Sequence, residues 1–93
     1  MGEVVRYFGR ATGRVQGVGF RYFVQQNARE LRMTGWVKNM DDGSVTMELQ
    51  GSQDQIDDLE KRILKGNYFV HVNELKLEQI APVEKEKLFD IRY

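Results

Sequence analysis

The stretch GRVQGVGFR, Gly13 to Arg21, packs three glycines and two arginines into nine residues and contains no acid. Glycine at positions 17 and 19 permits backbone conformations in which successive N–H groups converge on one concavity, and such a nest binds anions. Phe20, Val24, Ala28 and Leu31 then recur at helical spacing. A helix is therefore expected to begin near Phe20, and its unpaired N–H groups and positive dipole end are directed to the same place. Arg21 falls in the first turn of that helix, where a cation is misplaced by roughly 0.3–1 kcal/mol unless an anion compensates it. Between Val4 and Arg29 there is no Asp or Glu to do so, although Arg6, Arg10, Arg14, Arg21 and Arg29 all lie there. A planar guanidinium also matches two phosphate oxygens. The chemistry these residues favour is the binding of a small anion, with phosphate the natural occupant.

The elements that must hold this loop can be read from periodicity. From Val5 to Val15 the odd positions are apolar or small while Arg6, Arg10, Thr12 and Arg14 fill most even ones, the alternation of a strand with one solvated face. The small residues at 9, 11 and 13 are expected to let a helix pack close. The first helix should end before Thr34-Gly35. GWVKN, Gly35 to Asn39, reads as a second strand, and DDG, Asp41 to Gly43, as a hairpin turn. Val45, Met47 and Leu49 alternate with Thr46, Glu48 and Gln50 in a third strand. Ser52 with Gln55 forms a capping box for a second helix carrying Ile56, Leu59 and Ile63 and stopped by Gly66. Val70 and Val72 give way to Leu75 and Leu77, a parity change that predicts a bulge or a strand that starts late. Phe89, Ile91 and Tyr93 close the chain as a short extra strand. Pro82 lies between the last two strands, where a missing N–H does least harm.

The order strand, helix, strand, strand, helix, strand predicts an α+β, ferredoxin-like sandwich with both helices on one face of an antiparallel sheet. Ninety-three residues fit a single domain, residues 1–93, with one modest core. Hydrophobic residues at 41% and charged residues at 30% are those of an ordinary globular chain. No apolar run spans a bilayer and the N-terminus lacks a secretory pattern, so no membrane contact and a cytoplasmic location are expected. With no cysteine and a single histidine, neither a disulfide framework nor a zinc site of the usual kind is available. No metal and no cofactor are expected. A formal net charge of zero argues against a domain built to grip nucleic acid; the charge is instead distributed so that the first third is electropositive, which suits a small local anion.

GRVQGVGFR, followed by GWVKN, DDG and the closing FDIRY, resembles the acylphosphatase family, small enzymes that hydrolyse the carboxyl-phosphate bond of acyl phosphates. The resemblance extends over nearly the whole chain; only KGNYFVHV, Lys65 to Val72, is more aromatic than the Gly-Pro-rich link of many bacterial members. It implies a strand order 4-1-3-2, a phosphate-binding loop of Gln16, Gly17, Val18, Gly19, Phe20 and Arg21, and two catalytic residues, Arg21 and Asn39. It also implies an acyl phosphate substrate, with inorganic phosphate as product and competitive inhibitor. A monomer is expected.

Elementary chemistry makes those roles sensible. An acyl phosphate leaves as a carboxylate whose conjugate acid has a pKa near ~4, so no general acid is needed. Phosphoryl transfer through a loose transition state needs mainly positioning and charge stabilisation. Backbone N–H groups and Arg21 would hold the phosphoryl oxygens, and Asn39 would orient the attacking water without acting as its base. Two other readings remain open. A single-stranded RNA module requires aromatics on the central strands, and SVTMELQG has none. A catalytically silent anion-sensing or partner-binding domain could keep the same fold without the activity.

Overall fold

The computed structural model describes residues 3–93. The chain runs β1 (Val5–Arg14), α1 (Phe20–Glu30), β2 (Thr34–Asn39), β3 (Val45–Gly51), α2 (Gln53–Lys65), β4 (His71–Ile80) and β5 (Phe89–Arg92). The strands form one sheet in the order β4-β1-β3-β2-β5. The first four pair antiparallel in the expected ferredoxin-like arrangement. The extra C-terminal strand adds to the free edge of β2 in parallel, Gly35 opposite Phe89 and Val37 opposite Ile91, so the five-stranded sheet is mixed. No helix among the described residues is long and apolar enough to cross a membrane.

Register follows the alternation in the sequence, because one buried face fixes the pairing of every strand. Gly9, Met47 and Val37 align across β1, β3 and β2, as do Ala11, Val45 and Asn39. These residues face the helices. Ala11, Val37, Val45, Met47 and Leu49 pack with Val24 and Ala28 of α1 and with Ile56, Leu59 and Ile63 of α2 in a single core. Two of the three small residues of β1, Gly9 and Gly13, make room for neighbouring strands and not for a helix. A Cβ on Gly9 would meet Leu77 and Met47, side chains of the flanking strands, and one on Gly13 would strike the backbone of His71 and Asn73. The β1–β4 register shifts there, with Thr12 opposite Glu74 but Gly13 opposite Val72. The parity change in β4 is therefore a bulge at Asn73, and the strand itself starts as early as His71.

The solvated face brings acids to the cations of the first third. Arg6, only 2% exposed, donates to Glu48 at 2.7 Å and to Glu86 at 2.8 Å, and Gln50 accepts a third bond from it at 3.0 Å. Burial alone would push the Glu86 carboxyl up; hydrogen bonds from Arg6 and Thr34 and the charges of Arg6 and Arg92 outweigh it, holding the group below the ordinary carboxylate value. Arg10 pairs with Asp42 at 2.7 Å. The positive charge concentrated in the sequence is thus partly cancelled by acids from β3, the β2–β3 turn and the connection before β5.

Candidate active site

The loop after β1 leads into α1 through two left-handed glycines, Gly17 at φ 74° and Gly19 at φ 77°. A Cβ at either would meet nothing within 4 Å. Glycine is required here by backbone conformation and not by crowding, and the space above the loop is open. Gly19 is the N-cap of α1, with no side-chain cap and no acid in the first turn. The first-turn N–H groups therefore face outward without a side-chain acceptor, beside the positive end of the dipole.

Arg21 sits in that turn. One of its Nη atoms donates to the carbonyl of Arg92 at 3.1 Å, and its guanidinium lies 4.6 Å from the ring centre of Tyr93. Among the described residues it forms no ion pair. The end of β5 and the residue after it thus fix the guanidinium through a carbonyl and a ring, both uncharged, and no acid among the described residues compensates its positive charge. Phe20 is 1% exposed and belongs to the core, and Val18 packs against that core, so both can offer the cradle only their backbone N–H. The side chain of Gln16 turns away as well: Nε2 donates to the carbonyls of Met40 at 2.7 Å and Ser44 at 2.9 Å.

Asn39 ends β2 on the helix-facing side, in register with Val45 and Ala11. This is the end of the sheet at which β1 delivers the glycine loop. A cavity of about 350 Å3 is lined by Gly17, Gly19, Phe20 and Arg21 from the loop and helix, by Asn39, and by Val15, Tyr22, Ile91 and Tyr93. Asn39 Oδ1 is buried and has no hydrogen-bond partner among the described residues. Buried amide oxygens are ordinarily satisfied, so this unpaired one is an acceptor still lacking a donor, on a residue that lines the cavity.

The β2–β3 turn next to Asn39 is tightly tied. Met40 N–H donates to Ser44 O at 2.9 Å and Gly43 N–H to Met40 O at 3.2 Å. Asp42 accepts from the Ser44 amide at 2.9 Å and from its hydroxyl at 2.6 Å. Those bonds from Ser44, with that from Arg10, hold the Asp42 carboxyl well below the usual carboxylate range. The structure brings the expected loop, Arg21 and Asn39 to one cavity, and adds Tyr93, Ile91 and the Arg92 carbonyl, of which the sequence carried no sign. Those groups reach the site only because β5 lies parallel to β2, and the FDIRY alternation indicates a strand without indicating its neighbour.

The family model named Acylphosphatase matches residues 7–91. An acylphosphatase of Clostridium beijerinckii is 42% identical over 90 residues, covering 97% of this chain and all of that one. One from Geobacillus thermodenitrificans is 48% identical over 81 residues, covering 87% of this chain and 86% of its own. The crystal structure of acylphosphatase from Bacillus subtilis superposes with a TM-score of 0.90 at 36% identity, over 96% of this chain and 99% of that one. Fold, loop and sequence relationship agree: the chain belongs to the acylphosphatase family, hydrolases that act on acid anhydrides.

Proposed function

We propose that this protein hydrolyses the carboxyl-phosphate bond of small acyl phosphates by means of the Gln16–Arg21 loop and Asn39, working as a monomer in the cytoplasm. The observation that supports this most directly is the shared cavity: Gly17, Gly19, Arg21 and Asn39, from two separate parts of the chain, line one space. Backbone N–H groups of the loop and the Arg21 fork take the three phosphoryl oxygens, whose charge the site otherwise leaves unbalanced. Asn39 Oδ1 accepts from a water and aims its oxygen at phosphorus, in line with the bond to the acyl oxygen. A bond forms between that water oxygen and phosphorus as the bond between phosphorus and the acyl oxygen breaks. The leaving group departs as a carboxylate, with no need of protonation. A neutral amide is not a base at this pH, so the water's proton passes to a phosphoryl oxygen, and carboxylate and dihydrogen phosphate result. The product fits the same cradle and inhibits competitively. A chain without cysteine suits the reducing cytoplasm.

Hydrolysis of benzoyl phosphate in the presence of a chelator tests the reading. Wild type is expected to be active, Arg21→Ala to lose on the order of 10³-fold in kcat/KM, and Asn39→Ala on the order of 10²-fold, in the range found when a positioned transition-state donor is removed. No hydrolysis by wild type would leave a silent anion-sensing domain as the better account. Full activity in Asn39→Ala would remove its role toward water.

A further inference from the structure

We propose that Gln16 is a positioning residue that sets the distance between the phosphate cradle and Asn39, and that its side chain is not a phosphate ligand. The inference rests on the hydrolytic reading above. Gln16 immediately precedes Gly17, and Met40 immediately follows Asn39. The Gln16 amide therefore joins the two halves of the site by their nearest flanking residues, donating to Met40 O at 2.7 Å and to Ser44 O at 2.9 Å. A glutamine amide has two N–H donors, and both are used. What it has left is Oε1, an acceptor, which a phosphate would repel.

The carbonyls it holds are the two ends of the β2–β3 turn. Each already accepts a bond from within the turn, from Gly43 N–H and Met40 N–H. Gln16 adds to a turn that is closed on its own, so the turn does not depend on it; what depends on it is where the turn stands relative to the loop. Asp42, held by Ser44, closes the turn further, and its pair with Arg10 ties the turn to β1; Gln16 is the contact between the turn and the loop itself. Asn39 must place a water in line with phosphorus, and a misplacement of about 1 Å can cost on the order of 10²-fold in rate. Phosphate affinity, which depends on the loop N–H groups and Arg21, is a separate quantity.

Gln16→Met keeps the length of the side chain and removes both donors. It is expected to lower kcat for benzoyl phosphate about 10- to 100-fold while the inhibition constant of inorganic phosphate stays within about twofold, a split that a lost phosphate ligand does not give. In Asn39→Ala, adding Gln16→Met is expected to cost no further activity, because a residue acting through Asn39 has nothing left to position. Assays run well below each variant's melting temperature keep folding out of the comparison. An unchanged kcat in Gln16→Met, a phosphate inhibition constant that weakens in step with kcat, or additive losses in the double variant would each overturn the proposal while leaving the hydrolytic reading in place. An inactive wild type in the same series would instead end both.

Discussion

The two helices of this fold begin at opposite ends of the sheet and treat their N-termini in opposite ways. At α2, Ser52 and Gln55 close a capping box, with the Ser52 hydroxyl accepting from Gln55 N–H at 3.2 Å and Gln55 Oε1 accepting from Ser52 N–H at 2.8 Å. Asp54 stands in its first turn, and Arg62 and Lys65 in its last. Every one of these choices matches the macrodipole. At α1 the cap is a left-handed glycine with no side chain to offer, the first turn has no acid, and Arg21 adds positive charge where the dipole is already positive. The second helix is complete without a ligand; on the function proposed above, an anion completes the first. That reading accounts for two such different ends on one core: α1 gives up local stability for a site.

Substituting the cation at α1 should separate activity from stability most widely. Arg21→Ala is expected to lose on the order of 10³-fold in kcat/KM, about 4 kcal/mol of transition-state stabilisation. Its folding free energy should stay within about 1 kcal/mol of wild type, because relief of the misplaced charge offsets the lost contacts with Arg92 and Tyr93. Urea titration beside a benzoyl phosphate assay measures both. A large loss of stability would mean that α1 relies on Arg21 as α2 relies on its cap. Phosphate itself gives the next largest effect. At about 100 times its dissociation constant it should stabilise wild type by about 2.7 kcal/mol, which for a domain of this size raises the melting temperature by more than about 10 °C. In Arg21→Ala the rise at the same phosphate concentration should be mostly gone.

How much of this was legible in the sequence depends on the range of the interaction. The cap at α2 lies within four residues and was readable from Ser52 and Gln55, and so was the GxG turn into α1. The bulge in β4 showed itself as a change of parity between Val72 and Leu75. Interactions that close over the sheet left no such mark. Arg10 finds Asp42 across 32 positions and Arg6 finds Glu86 across 80, so a first third that reads as uniformly electropositive is partly neutralised once folded. Gln16 sits inside the recognisable motif, yet its partners are backbone carbonyls 24 and 28 positions away. A carbonyl has no residue identity, so no pattern of residue types could have named them. The parallel pairing of β5 is hidden for a related reason: alternation marks a strand and its buried face, while the edge it joins is fixed by the route of residues 81–88.

Ser52→Ala tests the complete end. Loss of an N-cap hydroxyl costs about 1 kcal/mol, lowering the melting temperature by roughly 4–8 °C. The kcat/KM is expected to be unchanged, since Ser52 follows β3 at the end of the sheet opposite Asn39, roughly 20 Å along the strand. Gln55 limits the damage, because its Nε2 still ties the start of α2 to Leu31 O at 2.7 Å. Reduced activity at a temperature where the variant is fully folded would show that the two helix ends are coupled.

The smallest effect is expected at Tyr93, and it bears on why Arg21 is held by neutral groups. A carboxylate in place of the ring would orient the guanidinium equally well, but it would compete with the phosphate for the same charge. A ring face orients a cation while leaving its N–H edge free for a planar fork. Tyr93 is 92% exposed, so its contact with Arg21 is worth only about 0.5–1 kcal/mol. Tyr93→Ala should therefore raise KM for benzoyl phosphate by roughly 2- to 5-fold with little change in melting temperature. Tyr93→Phe, which keeps the ring, should match wild type, and Tyr93→Glu should weaken phosphate binding more than Tyr93→Ala does. If Ala and Glu proved equal at this position, the uncompensated charge of Arg21 would not be what distinguishes the first helix from the second.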